Sequence, residues 1–461
     1  MTLRFPITMW CIAFSSFAMS EQLSVQDLVR AISSDHPTNR ASISEAQVIY
    51  AEIEEADAAF DINISQQTQA RAGGYYDGGY ANQEISKPLS TSNASIFGSY
   101  RISDGEFPVY EEQYQTATQG EVALGVRLSL LQSRDIDSRR TERLNATWRH
   151  SEAVSRQELS LNQLIFAGVS TYLDLLQSLE VRNISRRLLE LTESRVAGLR
   201  ARVETGDVAS ISLAELETAL LRRQLTLIEA ERAITIQHER LRSFLPSSMF
   251  NRIPAKTISL DQIGWPYESN SRALNDVDVM ISAHPRMATL DAALSRAQNR
   301  KRLAINETLP KLDLEMKVAK GLGKGDPWLS DEETVIGVAF AMPLGQRAAK
   351  ARQRAEEAAI TSLEYESTAL ERELRRDVEM GRAQLSYQRD IVALAKKMEA
   401  ASEHLLSQET KRFREGLSDQ FVLLSREKAF LEAQLTATAA KYELRRQELT
   451  LFASLAQLNF E

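Results

Sequence analysis

Near the end of the chain, apolar residues fall seven apart: Leu423, Phe430, Ala437, Leu444, Leu451 and Leu458. The same ladder stands 210 residues earlier as Leu213, Leu220, Leu227, Ile234 and Leu241. A strict repeat of seven keeps one seam of a helix against a neighbour over several turns, which is coiled-coil packing. Ahead of each ladder runs a long proline-free stretch of helix formers, about 133–205 and 347–415. At 1.5 Å per residue each reaches roughly 100 Å as one helix. Each stretch meets its ladder at a glycine. Arg200 and Arg202 precede Gly206, and Lys411, Arg412 and Arg414 precede Gly416. Basic residues suit the last turn of a helix and glycine supplies the left-handed stop. Ser210 or Ser212, and Ser418 or Asp419, stand where they can cap the returning helix.

Elsewhere the period drops to two. Leu312, Leu314, Met316 and Val318 alternate with Asp313, Glu315, Lys317 and Ala319. Ile336, Val338, Phe340 and Met342 alternate with Val335, Gly337, Ala339 and Ala341. Earlier, Val122, Leu124, Val126, Leu128 and Leu130 alternate with Glu121, Ala123, Gly125, Arg127 and Ser129, and a weaker strand carries Ile62 and Ile64. Segments of about ten residues with one apolar face and one polar or small face are the pattern of a transmembrane barrel, the apolar face toward lipid. The connection within the first strand pair, 73–120, is far longer than its counterpart within the second. Three placements are open to it: outside the cell, folded over a pore mouth, or holding a further hairpin around 99–102.

Two His-Pro pairs, His36-Pro37 and His284-Pro285, break helical stretches at matching places. The chain is therefore one plan written twice: helix, strand pair, long helix, tight turn, returning helix. The first repeat covers 21–245, with its tip at 205–210. A linker follows over 246–272. The second repeat covers 273–458, with its strand pair at 311–343 and its tip at 415–419. The fold class is mainly α with a small β part. Four strands per chain cannot close a barrel, and an open edge in lipid costs several kcal/mol per unpaired group. Closure must come from several copies.

Composition agrees with long helices: 19 Gly and 11 Pro in 461 residues, with charges of both signs interleaved. The net charge of −8 argues against nucleic acid as a partner. Residues 1–20 have the form of a secretory signal: Arg4, a mostly apolar run, then Ala18-Met19-Ser20. The only cysteine, Cys11, lies inside it, so the mature chain is expected to hold no disulfide. No later apolar run of 18 residues reads as a membrane-spanning helix.

The doubled plan, the two strand pairs, the turns at Gly206 and Gly416 and the run from Leu130 to Asp137 resemble the TolC-like outer-membrane factor family. That resemblance implies a homotrimer in the outer membrane of a Gram-negative bacterium. Its twelve-stranded β-barrel would be continued by a periplasmic tunnel of helices. The family serves as the exit duct of tripartite efflux pumps and type I secretion systems. A periplasmic adaptor (membrane fusion) protein grips the tips and an inner-membrane transporter supplies the energy. Carried over residue by residue, the adaptor-contact and gate positions are Gly206, Asp207, Ser210, Gly416, Ser418 and Asp419. The aperture-lining candidates are Ser212, Val422 and Ser425. The lipid-facing positions are Leu124, Val126, Leu128, Leu312, Leu314, Met316, Ile336, Val338 and Phe340. At the aperture, where well-known members carry aspartates, this chain has Val422 and Ser425, so their acidic ring is not expected here.

No enzyme signature competes with this reading, and neither catalytic residue, cofactor nor metal is expected. The run from Gly321 to Gly325 lacks phosphate-loop spacing and opens no helix. The five histidines have no ligand spacing. Glu52, Glu54, Glu55 and Asp57 read as a solvated helix face, and Tyr75, Tyr76 and Tyr80 as a barrel rim or loop. The alternative from another class is a soluble periplasmic coiled-coil scaffold or adaptor, whose strands would be wettable or protein-covered on both faces.

Overall fold

The computed structural model describes residues 22–71, 73–74, 76–268, 276–325 and 327–459. The signal reading and Cys11 fall outside them, as do Tyr75 and the last residues of the expected linker. The described residues form two compact units. One is built from 41–160 and 277–376, the other from the rest of the chain.

In chain order, α1 (Val25–Asp35) and α2 (Pro37–Asp57) precede four strands. These are β1 (Asn63–Ala70), β2 (Gly78–Pro88), β3 (Ala94–Gly105) and β4 (Glu121–Ser129). The helices α3 (Ser138–Glu204) and α4 (Ser210–Arg242) complete the first half. The second half holds α5 (Val277–Ser282), α6 (Pro285–Asn306), β5 (Lys311–Gly321), α7 (Pro327–Ser330), β6 (Glu332–Ala341), α8 (Arg347–Arg414) and α9 (Gln420–Ser454). The helix breaks fall at the two His-Pro pairs. Proline opens the new helix, and the histidine Nδ1 accepts a backbone N–H two residues on, from Thr38 at 3.2 Å and from Arg286 at 3.1 Å.

The strand-bearing unit holds a single antiparallel sheet in the order β1-β2-β3-β4-β5-β6. The four strands read from the sequence are β1, β4, β5 and β6. The 73–120 connection adds β2 and β3, so the count of four is corrected to six. Of the three placements open to that connection, the further hairpin is the one found. The helices of this unit are laced by ion pairs: Arg149 to Glu52 at 2.8 Å, Arg143 to Asp57 at 2.6 Å and Arg300 to Glu356 at 2.9 Å. The acidic face of α2 is thus partly paired with α3 rather than left to solvent. Where β4 hands over to α3, Ser133 takes a left-handed φ of 69°. Its N–H donates to Asn306 Oδ1 at 2.6 Å, and Asp137 caps α3 by accepting from the Arg140 N–H at 2.9 Å.

The other unit owns the larger core. Leu161, Ile165, Val169, Leu173, Leu176 and Leu179 line the buried side of mid-α3. This is the one described stretch long and apolar enough to cross a membrane by length and composition, and its apolar side chains go largely into the core. The segment expected as a linker belongs to the same core, with Ile253, Ile258, Leu260, Ile263 and Tyr267 buried. It also ties both ends of the described chain together. Leu23 N–H donates to Arg252 O at 3.1 Å, Val25 N–H to Ile263 O at 2.9 Å, and Tyr267 Oη to Leu458 O at 3.0 Å.

Asp27 stands at that junction. It shares a capping box with Ser24 and pairs with Arg252 at 2.5 Å. Burial acts to raise its pKa, but the hydrogen bonds from Ser24 and Arg252 outweigh burial and hold the carboxyl below its ordinary value. Its contribution to stability is therefore complete above the unfolded-state value of about 3.9 and lost as pH falls through the lower folded value. In denaturant titrations at descending pH, Asp27→Asn should be less stable at neutral pH and lose less on acidification. Parallel acid limbs for both proteins would contradict this.

Candidate functional site

Among the described residues no cluster of nucleophile, base and orienting group stands out; what each unit presents is surface. Because directly opposed residues of antiparallel strands share a face, the register sorts the sheet into two sides. Leu124 pairs with Gly98 and Val318, Val126 with Ile96 and Met316, and Leu128 with Leu314. Leu312, Leu314 and Met316 in turn oppose Phe340, Val338 and Ile336. All nine expected lipid-facing residues therefore fall on one face. Leu124 is 71% and Phe340 67% exposed, Met316, Ile336 and Val338 are exposed as well, and Val126, Leu128, Leu312 and Leu314 are half-buried.

The opposite face is polar and cross-linked. Arg127 on β4 forms a two-pronged ion pair with Glu84 on β2, at 2.7 and 2.9 Å, and donates to Glu315 on β5 at 2.9 Å. Its guanidinium lies 3.9 Å from the ring centroid of Phe97 on β3, and Phe97 lies over Gly125. A Cβ at Gly125 would stand 2.4 Å from the Phe97 ring and 2.6 Å from the Met316 carbonyl, so this position admits only glycine. Toward one end of this face, Tyr80 is buried and stacks on Tyr114 at 4.5 Å. Tyr76 donates its hydroxyl to Glu111 beneath the Arg71 guanidinium. The described tyrosines of the long connection are thus structural contacts within it.

Both hairpin tips close alike. Gly206 has φ +81° and Gly416 φ +76°. In the first tip, Gly206 N–H donates to Val203 O at 3.0 Å and Asp207 N–H to Arg202 O at 2.9 Å; in the second, Gly416 donates to Phe413 at 3.1 Å and Leu417 to Arg412 at 2.8 Å. This pair of bonds is the Schellman stop, which requires a left-handed residue at the glycine. Asp419 caps α9 through Val422 N–H at 2.9 Å. Neither Ser210 nor Ser212 caps α4; the cap position belongs to Ala209, which has no side chain to spare for it. Gly206, Asp207, Ser210, Gly416, Asp419 and Ser425 are exposed, and Ser212, Ser418 and Val422 are half-buried. Beside them stand exposed apolar side chains: Ile211, Leu417 and Phe421, the last 70% exposed.

A feature absent from the sequence reading lies behind the tips. Glu427 on α9 is 1% exposed and accepts from Arg195 on α3 and, at 2.7 Å, from Arg223 on α4. One carboxylate thus joins the first helical hairpin to the returning helix of the second. Burial pulls the Arg223 pKa down to about 10, with the Arg195 charge assisting. Burial and the charge of Arg414 lower Arg195 too. Both guanidiniums remain protonated at neutral pH, and Glu427 is the anion that offsets them. A signal existed: Glu427 comes four residues after Leu423 of the ladder, where a coiled-coil seam turns inward. Its partners lie more than 200 residues away in sequence, and no spacing rule links them.

The sequence matches no protein-family model and no curated protein. The fold has counterparts among solved structures. It is similar to the outer-membrane channel OprN, with TM-score 0.69 and 13% identity over 94% of this chain and 90% of that one. It is similar to the outer membrane protein VceC of Vibrio cholerae, with TM-score 0.67 and 13% identity over 94% and 96%. The Campylobacter jejuni CmeC outer membrane channel gives TM-score 0.66 and 11% identity over 99% and 94%. The chain has the fold of these channels along almost its whole length.

Replacing Glu427 with alanine would take the carboxylate from two half-buried guanidiniums, an arrangement that costs up to about 3–5 kcal/mol. Unfolding of the purified protein should show that loss. Exchanging all three residues for apolar ones of similar volume should recover most of it. A Glu427→Ala protein as stable as the parent would remove the triad from the account.

Proposed function

We propose that this chain is a member of the TolC-like outer-membrane factor family. In this reading it works as a homotrimeric exit duct in the outer membrane of a Gram-negative bacterium. The observation that carries the reading is the sheet: one exposed apolar face, one polar face, and two open edges at β1 and β6. The apolar face is unsuited to water and the open edges are unsuited to lipid, so copies joined edge to edge satisfy both. It stands against the soluble scaffold, which would cover or wet both faces.

The helices support the same assembly. On α8, Tyr387, Ile391, Leu394, Met398 and Leu405 are exposed at alternating coiled-coil spacing, Tyr387 by 71% and Leu394 by 65%. On α4, Leu221, Leu225 and Ile228 repeat the pattern. Two different unpartnered seams on one chain make a heterologous contact, which closes into a ring when the rotation permits.

Conduction is passive. Cargo enters from a periplasmic complex of adaptor and inner-membrane transporter, in efflux or in protein secretion. The adaptor meets the exposed tips around Gly206, Asp207 and Ser210 and around Gly416, Ser418 and Asp419. Opening parts the hairpins there, next to Ser212, Val422 and Ser425. The Arg195–Glu427–Arg223 triad is the polar link such a movement has to break or carry along.

With single cysteines at Leu314 and Glu315 in outer-membrane preparations, an aqueous maleimide should label the second and spare the first. Equal labelling of both would reject the barrel. Gly416→Val forces a β-branched residue into left-handed backbone, a strain of about 1–2 kcal/mol. It should lower export while leaving the trimer intact on native gels; undiminished export would remove that tip from the gate.

A further inference from the structure

The hairpin β2–β3 lies between β1 and the strands that follow, and its pairing is complete on both sides. β2 opposes β1 from Asn63–Ser86 to Ala70–Gly79, and β3 opposes β4 from Ala94–Leu128 to Arg101–Glu121. It obeys the two-faced pattern of its neighbours. Ile85, Ile96, Tyr100 and Ile102 fall on the apolar side with Leu124 and Val126, while Glu84, Asn82, Ser99 and Arg101 fall on the polar side. All four of those apolar-side residues are exposed.

The polar face binds the hairpin in place. Arg127 reaches across β3 to Glu84 and in the other direction to Glu315, so one guanidinium spans β2 to β5. Phe97 fills the notch at Gly125 beneath it. Arg101 adds a second cross-strand pair with Glu121 at 2.9 Å. A hairpin hanging off the sheet as a surface loop would have no use for matched faces, a glycine notch or charges aimed across two strands.

We propose that β2 and β3 are part of the membrane wall, so that three chains close an eighteen-stranded barrel instead of twelve. This rests on the trimeric channel proposed above. Barrel diameter grows about linearly with strand number, so at equal tilt the lumen is roughly half as wide again. Barrels of this strand number leave an aqueous channel. The faces the hairpin adds to it are hydroxyl, amide and internally paired charge, a lining suited to bulky hydrated cargo without preference for one sign of charge.

The test uses the full-length protein in outer-membrane preparations, with Leu124→Cys and Glu315→Cys as references for the lipid and water faces. Two double variants, Gln67→Cys with Asn82→Cys and Ser99→Cys with Ala123→Cys, place thiols on directly opposed residues of β1–β2 and β3–β4. Mild oxidation should join each pair within one chain. A wall in which β1 lay directly beside β4 would leave both pairs unjoined and overturn the proposal. Should a double variant fail to reach the membrane, Ile85→Cys alone decides. It should react with aqueous maleimide about tenfold more slowly than Ser99→Cys, as Leu124→Cys does relative to Glu315→Cys, because only a wetted thiolate reacts. Fast labelling at Ile85 with Leu124 protected sinks the wider wall and leaves the trimeric channel standing. Fast labelling at Leu124 as well, or absence of a trimer on native gels, sinks both.

Discussion

In hydrocarbon a strand has no water to satisfy its N–H and C=O groups, so every edge must find another strand. Six strands end at β1 on one side and at β6 on the other, and among the described residues no further strand pairs with either row. The two edges differ in sequence, so in the proposed channel they would meet as unlike surfaces, each copy passing an open edge to the next until the wall closes. Much else about the unit follows. In the proposed channel the apolar face, which runs from Ile64 to Phe340, can stay exposed because lipid rather than a core would receive it. The polar face holds its charges in cross-strand pairs, and beside the lumen proposed for it a row of unpaired charges would repel itself.

In the proposed ring the helices would meet the same requirement with packing instead of hydrogen bonds. The buried side of mid-α3 and the ladder residues Leu423 and Leu451 are enclosed within the chain, whereas Leu221 on α4 and Leu394 on α8 are not. The mixture is informative. A soluble scaffold would have closed its seams internally or made them polar, while a segment of a ring needs one at each flank. Glu427 then becomes intelligible as a device of specificity. A buried carboxylate facing two arginines contributes little net stability against an apolar alternative, yet it permits one arrangement of three helices and penalises others. In the proposed gate, where the hairpins part and return to the same register, that would be a useful property.

The parts of this fold that were legible are those in which a period repeats. The two ladders, the glycine stops and the His-Pro breaks all express local rules, and each depends on residues within one or two turns. The strands β4, β5 and β6 were legible because their alternation is unbroken. The hairpin β2–β3 was legible only as one of three placements for its segment, for a physical reason. Its apolar side is diluted by Gln83, Lys87 and Gly98, and Phe97 adds an apolar residue to the polar side to fill the notch at Gly125. Gln83 meets Gln66 on the neighbouring strand at 3.0 Å, so two residues that read as polar noise satisfy each other across the sheet. The segment around Ile253 to Tyr267 misled in the opposite sense. Two nearby prolines and irregular apolar spacing look like a linker, yet irregular spacing is what a chain needs when it winds across a core without becoming helix or strand.

Perimeter links the strands to the helices. In the proposed ring, four long helices packed at 8–10 Å would contribute roughly 32–40 Å of wall per chain. Six strands about 4.8 Å apart, tilted by about 40°, contribute roughly 38 Å, whereas four contribute only about 25 Å. A chain whose sheet and helices both close through the same number of copies can match these lengths in two ways, by steepening the tilt of few strands or by adding strands. The paired faces of β2 and β3 and the reach of Arg127 from Glu84 to Glu315 are the marks of the second solution. In the proposed eighteen-stranded wall, the long connection, an ornament on the strand pair at first sight, would bring strand and helix to a common girth.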